Sequence, residues 1–152
     1  MNIQRSQYRV SRAVTRAILP AAAMLFAGAV FAQSALPPSQ RDAQGVSYRE
    51  GGIGRAESQA MLADSTSYPL MLTFSQREQG KNAYTAGVDV RIKQPKGTTE
   101  LQAKSDGPLM LVNLPAGHYD VVAKLDGKTE QRAVDIQAHK TQRVYFEWAT
   151  PA

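Results

Sequence analysis

The sequence predicts an all-β protein: an antiparallel Greek-key β-sandwich of about seven strands, preceded by a short helix. Two observations point to this fold class. Apolar residues recur with a period of two from residue 68 to the C-terminus. Turn signals interrupt that pattern roughly every 8 to 12 residues, as in β-sandwiches. The chain contains no cysteine, so packing rather than disulfides must stabilise the domain.

The first 32 residues have the composition of a secretory signal peptide. Residues 1–16 contain four arginines and no acidic residue. They precede an apolar segment, 17–32, which ends in Val30-Phe31-Ala32. This arrangement predicts cleavage after Ala32. The alternative is an uncleaved membrane anchor, but the apolar run is shorter than the ~20 residues that span a bilayer, and Pro20 interrupts it. We therefore expect a periplasmic or extracellular protein without stable membrane insertion.

The charge of the chain is concentrated in this leader. The whole sequence has 18 basic and 13 acidic residues. Without the four leader arginines, the chain has 14 basic and 13 acidic residues, which gives a formal net charge of +1. No basic cluster remains that would favour nucleic acid, so we expect no nucleic-acid partner.

Two segments precede the predicted sandwich. Residues 33–52 are rich in proline, glycine, glutamine and charge without an apolar period, which predicts a disordered linker. Residues 53–66 contain good helix formers and predict a short helix that packs on the domain. Its predicted packing face includes Ile53, Ala56, Ala60 and Ala63.

The sandwich is predicted to cover residues 67–149. Val88 to Lys93 alternates apolar and charged residues without a break, which is typical of a half-buried strand. Residues 75–86 are polar and predict a connection. The other predicted strands are 68–74, 98–104, 109–112, 118–125, 128–137 and 143–148.

The predicted turns are marked by residues that shape the backbone. Gly107 and Pro108 precede one strand, and a corner follows it at Pro115 to Gly117, so that the chain reverses between two adjacent strands of a central hairpin region. Asp126 and Gly127 predict a two-residue hairpin loop with positive φ at both positions.

The stretch DGPLMLVNLPAGHYDVVAKLDGKT resembles the carboxypeptidase regulatory-like domain, a transthyretin-like (prealbumin-like) β-sandwich, and the wider span 51–148 looks like its secreted, stand-alone proteobacterial members. The positions that carry the resemblance are Gly107, Leu109, Leu111, Leu114, Pro115, Gly117, Tyr119, Val121 and Gly127. The resemblance implies a domain that accompanies other proteins or binds at the cell surface without catalysing a reaction. The hydrolase branch of that fold ends in a Tyr-Arg-Gly-Ser-type segment, whereas this chain ends in FEWATPA.

No catalytic, cofactor-binding or metal-binding residues are predicted. Ser105, Asp106 and His118 have the residue types of a catalytic triad, but turn formation and a solvent-facing strand start explain them more simply. The two histidines, His118 and His139, are far apart in sequence and have no nearby carboxylate spacing typical of a metal site.

Exposed aromatic residues give the strongest indication of a binding surface. Strict alternation places Tyr145 on the face opposite Val144, Phe146 and Trp148, and Tyr84 falls in the polar connection. We therefore expect a secreted, non-enzymatic accessory module whose partner is a protein, bound through a sheet edge or loops. The alternative is a module that binds envelope glycan through Tyr84 and Tyr145.

Overall fold

The computed structural model describes residues 35–150; the predicted signal peptide, 1–32, lies outside them. The described residues form one α-helix, α1 (Gly54–Asp64), and a 3-10 turn at Ser65–Ser67. They also form ten strands: β1 (Gln40–Arg41), β2 (Ser47–Gly51), β3 (Leu70–Glu78), β4 (Lys81–Tyr84), β5 (Val88–Lys93), β6 (Thr99–Ser105), β7 (Leu109–Val112), β8 (Gly117–Leu125), β9 (Lys128–Ile136) and β10 (Gln142–Ala149).

The strands form two sheets. In sheet A the order is β1-β2-β7-β3-β10, and β4 pairs with the end of β3. Strand β10 runs parallel to β3, while the other pairs of this sheet are antiparallel. Sheet B is antiparallel, in the order β6-β5-β8-β9. The mostly-β character of the prediction is confirmed, and sheet A is mixed.

The main core forms where alternate residues of the two sheets are buried in one continuous cluster. On β5 the alternation is complete, with Val88, Val90 and Ile92 buried and the residues between them exposed or half-buried. On sheet A, Phe146 lies between two aromatic neighbours, with its ring centroid 6.0 Å from those of Phe74 and Trp148. The predicted alternation on this strand is confirmed, because Val144, Phe146 and Trp148 are buried and Tyr145 is exposed.

The predicted disordered linker, 33–52, instead contains β1 and β2. Strand β2 pairs with β7 from Tyr48↔Val112 to Gly51↔Leu109. Tyr48 is buried in the main core, and its hydroxyl group donates a hydrogen bond to Gln40 Oε1 at 3.2 Å. One buried aromatic ring and the backbone pairing with β7 are enough to fix this segment, although its composition is polar. The linker prediction is therefore wrong for the residues of β1 and β2.

The predicted polar connection, 75–86, is also partly strand. Strand β3 continues to Glu78 and forms a hairpin with β4, from Ser75↔Tyr84 to Glu78↔Lys81. The two loop residues, Gln79 and Gly80, both have positive φ, as a tight hairpin turn requires. Tyr84 consequently lies at the end of a strand and not in a loop. Every side chain of β4 is exposed, so the hairpin has no apolar alternation for sequence analysis to detect.

The corner at Pro115–Gly117 joins two sheets and does not close a hairpin. Strand β7 belongs to sheet A and β8 to sheet B, so the predicted central hairpin region is wrong. The Tyr119 hydroxyl group donates a hydrogen bond of 2.9 Å to the carbonyl oxygen of Pro115. A buried tyrosine bonded to the backbone a few residues upstream is the tyrosine corner of β-sandwich proteins. Gly117 is nearly extended, with a φ of 158°.

The other predicted turns have their expected roles. Asp126 and Gly127 have φ of 47° and 81° and connect β8 to β9, which confirms a loop with positive φ at both positions. Gly107 and Pro108 lie between β6 and β7, where both are buried. A side chain at Gly107 would collide with the backbone of Gly51, so this turn passes directly against the end of β2.

Helix α1 packs on the outer face of sheet A through Met61. This side chain is fully buried in a second cluster with Met71, Leu109 and Leu111. The predicted short helix is confirmed, but its predicted packing face is wrong, because Ile53, Ala56 and Ala63 are exposed. The large side chain of Met61 fills the gap between helix and sheet. An ion pair of 3.5 Å between Arg49 Nε and Asp64 Oδ2 also joins β2 to the helix.

Between residues 35 and 150, no helix combines the length and the apolar character needed to cross a lipid bilayer.

Candidate binding groove

Pairing with β3 brings the two predicted binding tyrosines to the same face of sheet A. Tyr145 on β10 pairs with Thr73, and Tyr84 on β4 pairs with Ser75. Thr73 and Ser75 are two residues apart, so they and their cross-strand neighbours point to one side of the sheet. This is the outer face, and the tyrosine side chains are 69% exposed at Tyr84 and 63% exposed at Tyr145.

Two depressions meet at Tyr84. The smaller one, of about 400 Å³, has Thr73, Ser75, Asn82 and Ala83 between the two tyrosines. The larger one, of about 690 Å³, lies between Tyr84 and the start of α1 and includes Ile53, Arg55, Ala86 and Pro108. We call the two depressions together the tyrosine groove. Tyr84 is the ridge between them.

The groove has an apolar lining with several free polar groups. Ile53 is 64% exposed, and with Pro108 and Ala86 it gives the larger depression its apolar surface. The hydroxyl groups of Tyr84, Tyr145 and Thr73 have no hydrogen-bond partner within the part of the chain that the structure describes. The hydroxyl group of Ser75 is occupied, because it donates to the carbonyl oxygen of Phe146 at 3.3 Å. A ligand could therefore contact two ring faces and three free hydroxyl groups.

One end of the groove is closed by a polar cluster. Arg77 Nη2 lies 3.0 Å from Glu147 Oε1, and the Asn82 amide donates a 2.7 Å hydrogen bond to the other carboxylate oxygen. Both oxygens of Glu147 are thus occupied, and its charge is balanced by Arg77. No acidic side chain lines either depression. Glu147 therefore adds little unpaired negative charge next to the groove.

The other end of the groove is the first turn of α1. The Glu57 carboxylate accepts hydrogen bonds from the backbone N–H groups of Gly52 at 2.6 Å and Ile53 at 3.1 Å, just before the helix begins. These bonds hold the negative charge of Glu57 against the backbone. Arg55, on the same turn, is exposed and has neither an ion pair nor a hydrogen bond to any of residues 35–150.

A few backbone groups at the edges of the sheets are bonded to side chains. On β6, the backbone N–H of Gln102 donates to Asp42 Oδ2 at 3.1 Å, and just beyond the strand Asp106 N–H donates to Glu50 Oε2 at 2.9 Å. At the opposite side of the sandwich, the Trp148 indole N–H donates to the carbonyl oxygen of Lys128 at 3.2 Å, so side chains bridge β9 and β10. Each of these bonds occupies a single backbone group.

The residues that resemble a catalytic triad are not brought together. The buried Ser105 hydroxyl group donates a 2.8 Å hydrogen bond to the carbonyl oxygen of Gly107. His118 Nδ1 lies 3.1 Å from Asp135 Oδ1 on the exposed face of sheet B. Ser105 pairs with Val88 at one end of β5, whereas His118 lies beyond Lys93 at the other end, roughly 23 Å away along the strand. This arrangement does not support acyl-transfer chemistry.

Sequence analysis identifies the two tyrosines but not the surface between them. Thr73, Ser75 and Pro108 carry no motif, and Ile53 was predicted to pack against the sheet. The surface depends on the β3–β4 hairpin and on the parallel pairing of β3 with β10, which connects residues about 70 positions apart. Of the residues that line the groove, only Tyr145 has an orientation that the apolar alternation of its own strand predicts.

A scan against protein-family models finds no match for the chain, and a search of curated proteins finds no similar sequence.

Proposed function

We propose that this chain is a secreted, non-enzymatic accessory module that binds a protein partner through the tyrosine groove. The observation that carries the proposal is the grouping of three exposed large apolar side chains, Ile53, Tyr84 and Tyr145, around two adjoining depressions. Exposed aromatic and aliphatic side chains that cluster beside a concavity are typical of protein interaction sites.

The sequence features support the setting of this proposal. The predicted signal peptide favours the periplasm, and the resemblance to carboxypeptidase regulatory-like domains favours an accessory role with a Greek-key arrangement of about seven core strands. Because the exposed apolar side chains group on the outer face of sheet A, we place the expected contact there and not at a sheet edge. This site is therefore more specific than the edge or loop contact that sequence analysis predicts.

The experiment is photo-crosslinking in living cells with the full chain. A photoreactive amino acid at position 84 should give a discrete protein adduct, and Tyr145→Ala should greatly reduce its yield. The control position is Leu62, which is 45% exposed on α1 but does not line the groove. An adduct that forms equally at positions 84 and 62, or one that Tyr145→Ala leaves unchanged, would contradict the proposal.

Glycan binding is the second candidate. The free hydroxyl groups of Tyr84, Tyr145 and Thr73 beside exposed rings favour it, because sugars stack on aromatic rings and accept or donate hydrogen bonds at every hydroxyl group. It predicts that the purified protein binds isolated peptidoglycan or polysaccharide, and that Tyr145→Ala weakens this binding. Retention that is the same for the wild type and the variant would count against it.

A further inference from the structure

The tyrosine groove has a shape that restricts the backbone of its partner. Sheet strands are about 4.8 Å apart and rise about 3.3 Å per residue, so two strand spacings and two residues place the Cα atoms of Tyr84 and Tyr145 about 12 Å apart. Between them lies the interior of a sheet, at Thr73 and Ser75, whose backbone groups pair with neighbouring strands. A partner segment therefore cannot pair with this floor as an added strand. It must be recognised through ring faces, hydroxyl groups and charge.

A polyproline II segment meets these requirements. It has no internal hydrogen bonds, so its carbonyl groups are free to accept from tyrosine hydroxyl groups, and it rises about 3.1 Å per residue with three residues per turn. About four such residues span the distance between the two tyrosines. Proline-rich segments characteristically dock in aromatic-lined grooves, where ridges separate shallow pockets. Tyr84 is such a ridge, with one depression on either side.

The charges near the groove indicate the charge of the partner. Arg55 lines the larger depression, and Arg143 lies two residues before Tyr145 on the same face of β10, about 7 Å along the strand. Arg143 reaches only the Ser65 hydroxyl group, at 3.5 Å, and Arg55 contacts no carboxylate among residues 35–150. The nearest acidic group on the groove face, Glu147, is balanced by Arg77. The charge without a carboxylate partner is thus positive at Arg55, in the larger depression, and at Arg143, which lines neither depression.

From this geometry we infer that the groove binds a proline-rich segment of a partner protein that carries acidic residues. The inference rests on the proposed function and specifies the chemistry of the partner. The prolines occupy the two depressions on either side of Tyr84, the tyrosine hydroxyl groups donate to carbonyl oxygens of the segment, and carboxylates pair with Arg55 and Arg143. Because the segment is already extended, little conformational entropy is lost when it binds.

The test is a fluorescence-anisotropy titration of the full chain with a labelled peptide in which prolines recur every third residue and glutamates stand between them. We expect saturable binding whose Kd rises about tenfold or more in Tyr84→Ala and in Tyr145→Ala, as for central aromatic contacts. Arg55→Ala should raise Kd severalfold at low salt and have a smaller effect at high salt. Leu62→Ala, which removes an exposed apolar side chain outside the groove, should leave Kd unchanged.

Two comparison peptides and the crosslinking experiment separate the possible outcomes. A peptide with alanine in place of proline, and one with lysine in place of glutamate, should both bind more weakly. Equal binding of all three peptides, no effect of either tyrosine variant, or displacement of the peptide by peptidoglycan fragments would overturn the inference. If the acidic proline peptide does not bind while the adduct at position 84 still depends on Tyr145, the inferred proline-rich, acidic partner is wrong and the proposed function stands. If both fail, the proposed function fails as well.

Discussion

At the scale of single residues, Tyr119 shows how one side chain can specify a junction between sheets. It is 5% exposed, and its hydroxyl group bonds the Pro115 carbonyl oxygen where the chain crosses from β7 to β8. Pro115 lies in the connection between the two strands, and the tyrosine holds this corner against the core. The predicted role of this corner in shaping the backbone is therefore correct, although the two strands it connects lie in different sheets.

Removal of this hydroxyl group should destabilise the domain. In Tyr119→Phe the ring stays in the core but the Pro115 carbonyl oxygen loses its partner, so we expect a loss of about 1–2 kcal/mol in the free energy of unfolding. Chemical denaturation measures this directly. The control is Tyr145→Phe, whose hydroxyl group has no partner in residues 35–150 and should change stability by less than about 0.5 kcal/mol. Equal effects of the two variants would show that the corner hydrogen bond is not stabilising.

The same tyrosine predicts a loss of stability in alkaline solution. Burial, and then the charge of Glu100, raise the pKa of Tyr119 above its ordinary value of 10.0. Burial likewise raises the pKa of Tyr48, with smaller contributions from Glu50 and Asp42. Above about pH 10 the unfolded chain releases these protons before the folded chain does, so stability should fall as pH rises through that range. Unfolding measured between pH 9 and 11 should show a smaller decline in Tyr119→Phe, and parallel curves would contradict this.

At the scale of elements, α1 is attached to sheet A by one large side chain. Met61 is fully buried against Met71, Leu109 and Leu111, whereas its neighbour Leu62 is 45% exposed. We expect Met61→Ala to cost about 2–5 kcal/mol, because it removes a buried side chain and leaves a cavity. Leu62→Ala is the matched control and should cost about 0.5 kcal/mol or less. Similar losses in both variants would mean that the helix does not pack through Met61.

The turn before β7 depends on a close approach of two backbones. A Cβ atom on Gly107 would overlap the Gly51 carbonyl group, and one on Gly52 would come within 2.9 Å of the Leu109 side chain. Gly107→Ala should therefore destabilise the domain at the upper end of the about 1–3 kcal/mol typical of overpacking. The control, Lys104→Ala, shortens an exposed side chain on the neighbouring strand β6 and should change stability by less than about 0.5 kcal/mol. If thermal unfolding shows that Gly107→Ala has no larger effect than the control, the approach is looser than described.

At the scale of the whole molecule, sequence analysis predicts local structure better than the arrangement of the sheets. Strands with apolar alternation, such as β5 and β10, and the Asp126-Gly127 turn follow from residues that are close in sequence. Strands β2 and β4 do not, because their side chains are mostly polar and pairing with a distant strand stabilises them. The parallel pairing of β3 with β10 has no local signal either.

The candidate site follows the same division. Alternation shows that Tyr145 faces outward, but only the assembled sheet brings it near Tyr84 and places Thr73 and Ser75 between them. The side-chain bonds to the backbone of β6 and of β9 also join residues that are distant in sequence. The binding proposal therefore applies to the outer face of sheet A, whose residues come together only in the folded structure.

The central claim is that a partner occupies the outer face of sheet A and not a sheet edge. Hydrogen exchange followed by mass spectrometry, on the full chain alone and with its captured partner, tests it most directly. We predict that bound partner slows exchange at the start of α1 and in β4, at residues 52–59 and 81–84, and leaves β6 and β9 unchanged. Slower exchange along β6 or β9, with residues 52–59 and 81–84 unaffected, would contradict the account.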